Sequence, residues 1–475
     1  MRQALFGMLA LIGIFSLAAN CGSQPRHVPI RFELAIPEPL QPGEMVYLSG
    51  SFNDWQPDDS NWIMHSLDSL HYFRDTILAE NSRIEYKYSL GTWFHGETDT
   101  SGNDLPNRSL TVYSNLLVND SIMKWKNDLA IEWNGDTTQL LAAIDGIMAP
   151  FSHPDQPGAG LMIIHDSRII VQKGYGLADL EHKIPVTPAA NFRLASVSKQ
   201  FTAMSIMLLV QQGSLKLNQN LLDFFPDFPE IGRKITLRHL LNHTSGLIDY
   251  ETINPEQWTH DLKDKDVLDL LKTRTDTYFE PGTQYRYSNS AYALLALIAE
   301  KTSGQSYSDY LQTAIFEPLG MNRSVALEEG INQVENRAYG YKQKKEDGSF
   351  YLADQSKTSR VLGDGGIYSS VEDLYQWDQA LRQKKLVSEE IYHQIFTPSA
   401  WIEGHYYSYG FGWKIRSYRG MSAVFHTGSS IGFNTAIFRL SDRPLTVIIL
   451  INRDSVEPMD YVYPILDLMC FPSKP

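Results

Sequence analysis

Cysteine is nearly missing from this 475-residue chain: only Cys21 and Cys470 occur, at opposite ends. If Cys21 is acylated, Cys470 has no partner, so no disulfide framework is supported, and two cysteines supply no cysteine metal site. Runs of Lys and Arg are also lacking, and the formal net charge is -14. Without a basic stripe to track phosphates, nucleic acid is not an expected partner. His165, His182 and His405 are scattered, with no H-x-x-x-H or H-E-x-x-H spacing, so no metal is expected and no cofactor is implied. Internal repeats and low-complexity tracts are absent too. Hydrophobic residues at 43% and charged residues at 20% are ordinary for a folded, soluble protein, which excludes disordered and fibrous readings. At ~100–200 residues per domain, this length predicts two or three units, and two is the working number.

Residues 1–21, MRQALFGMLALIGIFSLAANC, carry a positive start at Arg2, an apolar run from about Ala4 to Ala19, and small residues before Cys21. The run is too short and too early for a comfortable membrane span and reads as a secretory signal. Export to a bacterial periplasm or cell envelope is expected. Cys21, preceded by Leu17, Ala18 and Ala19 and followed by Gly22 and Ser23, resembles the acylated cysteine of a bacterial lipoprotein; Asn20 departs from that pattern, and ordinary cleavage nearby is the alternative. Membrane contact is expected only through such an anchor.

Residues 28–128 read as short strands. Phe32, Leu34 and Ile36 alternate with Arg31, Glu33 and Ala35, and Ile84, Tyr86 and Tyr88 alternate with Glu85 and Lys87, the period-two pattern of half-buried strands. PEPLQPGE, PDDSN and SGNDLPN supply the breaks, and a β-sandwich is predicted. YLSGSFNDWQPDD, EYKYSLGTW and LPNRSLTV resemble the early-set, immunoglobulin-like modules that bind starch or glycogen. That resemblance implies a possible polysaccharide partner, with Trp55 and Trp93 stacking on sugar rings and Lys87 and Asn107 bonding hydroxyls. Alternatively, the two tryptophans pack the sandwich or face the second domain.

Residues 129–138 form a junction, and 139–475 a second domain with longer helical runs. QLLAAIDGIM predicts its opening helix, LMIIHDSRIIVQKGYG a strand pair turning at His165, Asp166 and Ser167, and FNTAIFRL and LTVIILIN two late strands. Helices enclosed by early and late strands indicate an α+β domain whose sheet joins both ends of the chain.

The chemistry concentrates in FRLASVSKQFTAMSIMLLVQQG, which predicts a helix from Val197 to Gln212, apolar on nearly all sides and stopped by Gly213. Lys199 lies three positions after Ser196, almost one turn, and so projects beside its hydroxyl. A serine hydroxyl needs a base. A lysine desolvated by an apolar helix loses its proton more readily and can serve, while an unpaired ammonium there would be costly.

S-x-x-K is the signature of serine β-lactamases and penicillin-binding proteins. The second domain resembles their class C branch, with D-aminopeptidase and esterase relatives, in an α+β β-lactamase/transpeptidase-like fold with an antiparallel sheet and a helical subdomain. In that branch the second motif is Y-x-N, here Tyr287-Ser288-Asn289, and LLNHTSGL and LGDGGIYSSVEDLYQW also resemble its segments. The resemblance implies Tyr287 as proton acceptor or relay, useful near neutral pH only if Lys199 lowers its pKa from ~10. It implies Asn289 for positioning substrate and bracing Lys199. Read locally, the same YSN is a turn before a helix near Ala291, capped by Ser288 or Asn289. The third motif, usually K-T-G, is His426-Thr427-Gly428 here. All three are implied substrate-positioning residues, with Gly428 letting substrate lie against the strand and the backbone N–H groups of Ser196 and Ser429 forming the oxyanion hole. Histidine, mostly neutral at pH 7, replaces a permanent charge that helps bind substrate carboxylates. His243 is expected to be structural.

The sequence therefore predicts an exported serine hydrolase acting through an acyl-enzyme on a small ester, amide or peptide. The alternatives are a D,D-peptidase or β-lactamase, and a carbohydrate-binding protein with a vestigial hydrolase domain.

Overall fold

The computed structural model describes residues 26–470 apart from 41–43, 54, 58, 92–95, 104, 127–136, 253–257, 398–399, 403–404, 420 and 442–443. The signal segment with Cys21, the residue Trp93 and most of the 129–138 junction lie outside the described residues.

The alternating N-terminal pattern forms strands as its periodicity requires. His27–Ala35 buries every second side chain, Val28, Ile30, Phe32 and Leu34, and pairs antiparallel with His71–Ala79 and parallel with Leu116–Ser121. With His65–Ser66 they make a four-stranded sheet, while Tyr47–Gly50, Arg83–Ser89 and Arg108–Thr111 make a second, three-stranded one. Inner residues of both sheets, among them Phe32, Leu48, Ile84 and Tyr86, share one hydrophobic core.

The rest of the chain is built on a six-stranded sheet in the order Arg168–Tyr175, Ala159–His165, Leu445–Ile451, Phe433–Leu440, Met421–Ser430, Lys414–Tyr418, antiparallel throughout. The first two strands turn at Asp166 and Ser167, both left-handed with φ of 50° and 64°, the backbone a two-residue hairpin needs. Early and late strands meet at the pairing of Ala159–His165 with Leu445–Ile451, whose residues, His165 and Thr446 apart, are apolar and buried on both faces. One face packs on the helices Thr137–Ile147 and Met459–Cys470, burying Cys470. The other packs on a larger helical core that contains Lys199–Gln211, Asn289–Ser303 and Val371–Arg382.

Within that larger helical core sits the predicted apolar helix. Its first turn is tighter than the sequence suggests: Ala195–Ser198 is a 3-10 turn that leads into Lys199–Gln211, and Ala195 holds a left-handed φ of 49°. Gly213, at φ 78°, ends the helix as expected. Among the described residues no helix is long and apolar enough to cross a membrane, and no cluster of three His, Cys, Asp or Glu could hold a metal ion.

Candidate active site

Ser196 stands half-exposed at the start of the buried helix, and Lys199 follows it on the same face, fully buried. The Lys199 Nζ lies 3.2 Å from Ser196 Oγ, 2.8 Å from Asn289 Oδ1 and 2.8 Å from the Asp364 carbonyl oxygen. The last two atoms can only accept. Asn289 is held in that orientation because its Nδ2 donates to Glu251 at 2.7 Å, while its backbone N–H donates to Asp249 at 2.6 Å. A neutral lysine amine has two N–H bonds and one lone pair; in that form, with both N–H groups on Asn289 and Asp364, the lone pair would face Ser196. Burial pushes the Lys199 pKa down, against the nearby Asp364, Glu251 and Asp249 carboxylates, and pushes that of Asp364 up. Asp364 also accepts from the Tyr250 hydroxyl at 2.6 Å.

The Ser196 hydroxyl acts on Tyr287, and Lys199 Nζ sits 4.9 Å from the centre of the Tyr287 ring. The resemblance makes Tyr287 a useful base near neutral pH only if Lys199 lowers the pKa of this phenol. The fold does the reverse: burial first, then the surrounding carboxylates, raise it despite Ser196, which lowers it. Tyr287 is therefore a neutral phenol beside a lysine that gives up its proton more easily than usual. Both local readings of YSN hold together, since Ser288 caps Asn289–Ser303 by accepting from Ala291 N–H at 3.1 Å while Asn289 reaches Lys199.

His243 is structural in a specific way. Its Nδ1 accepts from the Ser288 N–H at 3.1 Å, its carbonyl accepts from the Arg286 N–H at 3.0 Å, and burial keeps the ring neutral. It thereby pins the turn that carries Tyr287.

The strand Met421–Ser430 closes the site. A Cβ on Gly428 would fall 2.2 Å from the Leu194 carbonyl oxygen and 3.0 Å from Ser196 N. The missing side chain thus seats the Ser196 turn on the strand. Ser430 and Phe433 close a two-residue hairpin. In such a hairpin the closing pair exchanges both hydrogen bonds, and alternation turns the N–H of Ser429 away from the neighbouring strand, toward the edge left open where Lys414–Tyr418 has ended.

His426 differs from expectation. It is 1% exposed, its Nδ1 donates to the Thr427 carbonyl at 2.7 Å, and its Nε2 accepts from the Tyr409 hydroxyl at 3.0 Å. With both nitrogens engaged and the ring kept neutral by burial and by the Lys414 charge, it braces the strand and has no ring nitrogen left for a substrate. Thr427 stays half-buried, and Lys414 Nζ donates to its Oγ1 at 3.4 Å.

In the N-terminal sheets, Lys87 faces outward from Arg83–Ser89, and Asn107 donates to Glu85 on that same face at 3.1 Å. Trp55 lies in the turn after Tyr47–Gly50, with a φ of 57° and partial burial. The next residue, Gln56, accepts a hydrogen bond from Arg416 of the second unit.

Sequence reasoning missed Asp249, Glu251, Asp364, Tyr409 and Lys414. Asp364 lies in LGDGGIYSS, part of a segment noted for its resemblance, and Tyr409 and Lys414 lie in YSYGFGWK, but their roles arise from contacts across the fold.

Residues 142–466 match the family described as Beta-lactamase. Over 311 residues the chain is 35% identical to Penicillin-binding protein 4* of Bacillus subtilis (strain 168), covering 63% of this chain and 68% of that protein. It is 28% identical over 327 residues to D-aminopeptidase of Gluconobacter oxydans (strain 621H), covering 67% of this chain and 59% of that protein, less than two thirds of its length. The crystal structure of D-amino acid amidase from Ochrobactrum anthropi SV3 complexed with D-phenylalanine is similar with a TM-score of 0.59 at 25% identity, over 70% of this chain and 98% of that one.

Proposed function

The chain belongs to the Beta-lactamase family, and from that membership we propose that it is a serine hydrolase that opens an amide or ester bond through an acyl-enzyme on Ser196. The observation that carries this reading is the Lys199 amine, 3.2 Å from Ser196 Oγ with its other two contacts on oxygens that can only accept. In the proposed cycle, Lys199 takes the Ser196 proton as Oγ attacks the substrate carbonyl. The N–H groups of Ser196 and Ser429 hold the resulting oxyanion. Tyr287, a neutral phenol beside Ser196, passes a proton to the departing amine or alcohol and regains one from Lys199. Water then cleaves the ester by the same route reversed, freeing the acid and restoring Ser196.

Relatives named for D-aminopeptidase and D-amino acid amidase activity favour amide substrates within this class. A fluorophosphonate reagent followed by peptide mapping tests the assignment: Ser196 is expected to carry the label, and labelling that persists in Ser196→Ala would refute it.

Residues 1–21 support export with acylation at Cys21, and the two facing N-terminal sheets support an immunoglobulin-like module. Metabolic labelling with palmitate should mark the expressed protein and be lost in Cys21→Ala. A secreted, unlabelled protein would leave the signal reading intact and remove the anchor.

A further inference from the structure

Leu362–Gly365 is a single helical turn, and Val361 at its start gives it no side-chain cap. So short a turn leaves its first N–H groups without partners of its own. Asp264, 98 positions before Leu362, takes them: one carboxylate oxygen accepts from the Leu362 N–H at 2.8 Å and the other from the Gly363 N–H at 3.0 Å. Asp264 opens the helix Asp264–Lys272 and is 7% exposed. It is carried to the turn because Leu262 donates its N–H to the Lys357 carbonyl at 2.7 Å and Lys263 bridges to Arg360. From the capped turn, the Asp364 carbonyl oxygen meets Lys199 Nζ at 2.8 Å, and the Gly363 carbonyl accepts from the Thr202 hydroxyl at 2.6 Å. Gly363 lies against Asn289–Ser303, where a Cβ would fall 2.3 Å from the Tyr292 carbonyl oxygen, and a Cβ on Gly365 would meet the Ala195 carbonyl carbon at 3.5 Å. One turn thus touches the lysine, the helix that begins at Asn289 and the turn that carries Ser196.

We infer that Asp264 is a positioning residue of the hydrolytic site: by capping Leu362–Gly365 from a separate helix, it fixes the Asp364 carbonyl on Lys199 and so the direction in which the lysine amine meets Ser196. The inference rests on the acyl-enzyme reading of Ser196. Asp264 acts only through the turn and touches no reacting atom. An ionised carboxylate offers an acceptor to each of the two N–H groups, whereas an amide of the same shape offers one oxygen and turns its NH₂ toward the other N–H. Burial pushes the Asp264 pKa up to about 7 against the bonds from Leu362 and Gly363, with Glu300 adding to the rise, and Asp264 in turn helps to raise that of Asp364. An apolar side chain would fill the space without that cost, but it would leave both N–H groups buried and unpaired.

The test follows labelling of the full-length protein by a fluorophosphonate, whose fluoride leaves as Ser196 Oγ bonds to phosphorus. Asp264→Asn should lower the maximal rate per labelled site by about 10–10²-fold, the order produced by a displacement approaching 1 Å, while the reagent concentration giving half that rate stays the same. Its pH limb should move down, because the Lys199 ammonium loses part of its hold on the Asp364 carbonyl and one negative charge nearby, while the Asp364, Glu251 and Asp249 carboxylates that act on it remain. A role in folding alone would change the folded fraction and neither of these. Asp266→Asn is the control: Asp266 caps the same helix by accepting from the Lys263 N–H at 2.8 Å and does not reach the turn, so this variant should label at the normal rate. Asp264→Ser, smaller and able to accept one N–H, should behave as Asp264→Asn does and takes its place if that variant does not fold. A normal rate per labelled site, a limb that stays in place, or equal slowing in Asp266→Asn would overturn the inference. No labelling of the unaltered protein removes the acyl-enzyme reading and the inference with it, whereas normal labelling of both the unaltered protein and the Asp264 variants removes only the role of Asp264.

Discussion

At the scale of single residues, the site depends on a lysine kept where an ammonium is poorly solvated. Lys199 is fully buried, and its lowered pKa is set first by that burial. The base form is the deprotonated one, so the acylation rate should rise with pH along a limb whose midpoint lies below the ordinary lysine value of ~10.4. Stopped-flow acylation across pH checks this, and a midpoint at or above the ordinary value would contradict it. Lys199→Met should lower acylation by about 10²–10⁴-fold, the usual contribution of a positioned base. Tyr287 should not supply the limb, since its pKa is raised. In Tyr287→Phe the rate should fall while the midpoint stays with Lys199.

At the scale of elements, the nucleophile turn and the strand beside it act as one unit. Leu194 donates its N–H to the Ile367 carbonyl at 2.8 Å, Thr435 Oγ1 donates to the Leu194 carbonyl at 2.7 Å, and Gly428 lies flat against the same carbonyl. Gly428→Ala would place a methyl group 2.2 Å from that oxygen, a distance at which the turn or the strand must shift. Displacements of about 1 Å can cost on the order of 10²-fold in rate. Gly428→Ala is thus expected to lose most Ser196 labelling by fluorophosphonate while circular dichroism shows a folded protein; labelling at the normal rate would show that the close approach is unimportant. The helix and its Ser-Lys spacing were legible in the sequence because a three-residue step is a local property of any helix. The role of Gly428 was not, because it depends on a carbonyl more than 200 positions away in the chain.

At the scale of the whole molecule, the N-terminal sheets and the hydrolase unit are joined by a buried ionic contact. Arg419 is 3% exposed at its side chain; it pairs with Glu44 of the N-terminal unit, and with Asp467 of Met459–Cys470 at 2.8 Å. Asp467 also accepts from the Tyr418 hydroxyl at 2.6 Å. Removing the cation would leave two carboxylates buried close together, and breaking such a pair from one side typically costs about 3–5 kcal/mol. Arg419→Met should therefore lower the stability of the full chain in urea by that order. Loss of less than about 1 kcal/mol would mean that water reaches the carboxylates and the contact is not a buried one.

The sequence by itself determined what depends on neighbours along the chain: the alternating strands, the apolar helix with Ser196 and Lys199 one turn apart, the hairpin at Asp166 and Ser167, and the cap at Ser288. Side-chain spacing on a helix or strand is a matter of local geometry, so it can be read without knowing the fold. Tertiary structure decided what depends on register and burial. It placed the Asp364 carbonyl on Lys199, engaged both nitrogens of His426, raised rather than lowered the Tyr287 pKa, and brought Lys414 to Thr427 from a separate strand. Each of these outcomes turns on which distant atoms share a site and how far water is excluded from it, quantities that exist only once the chain has packed.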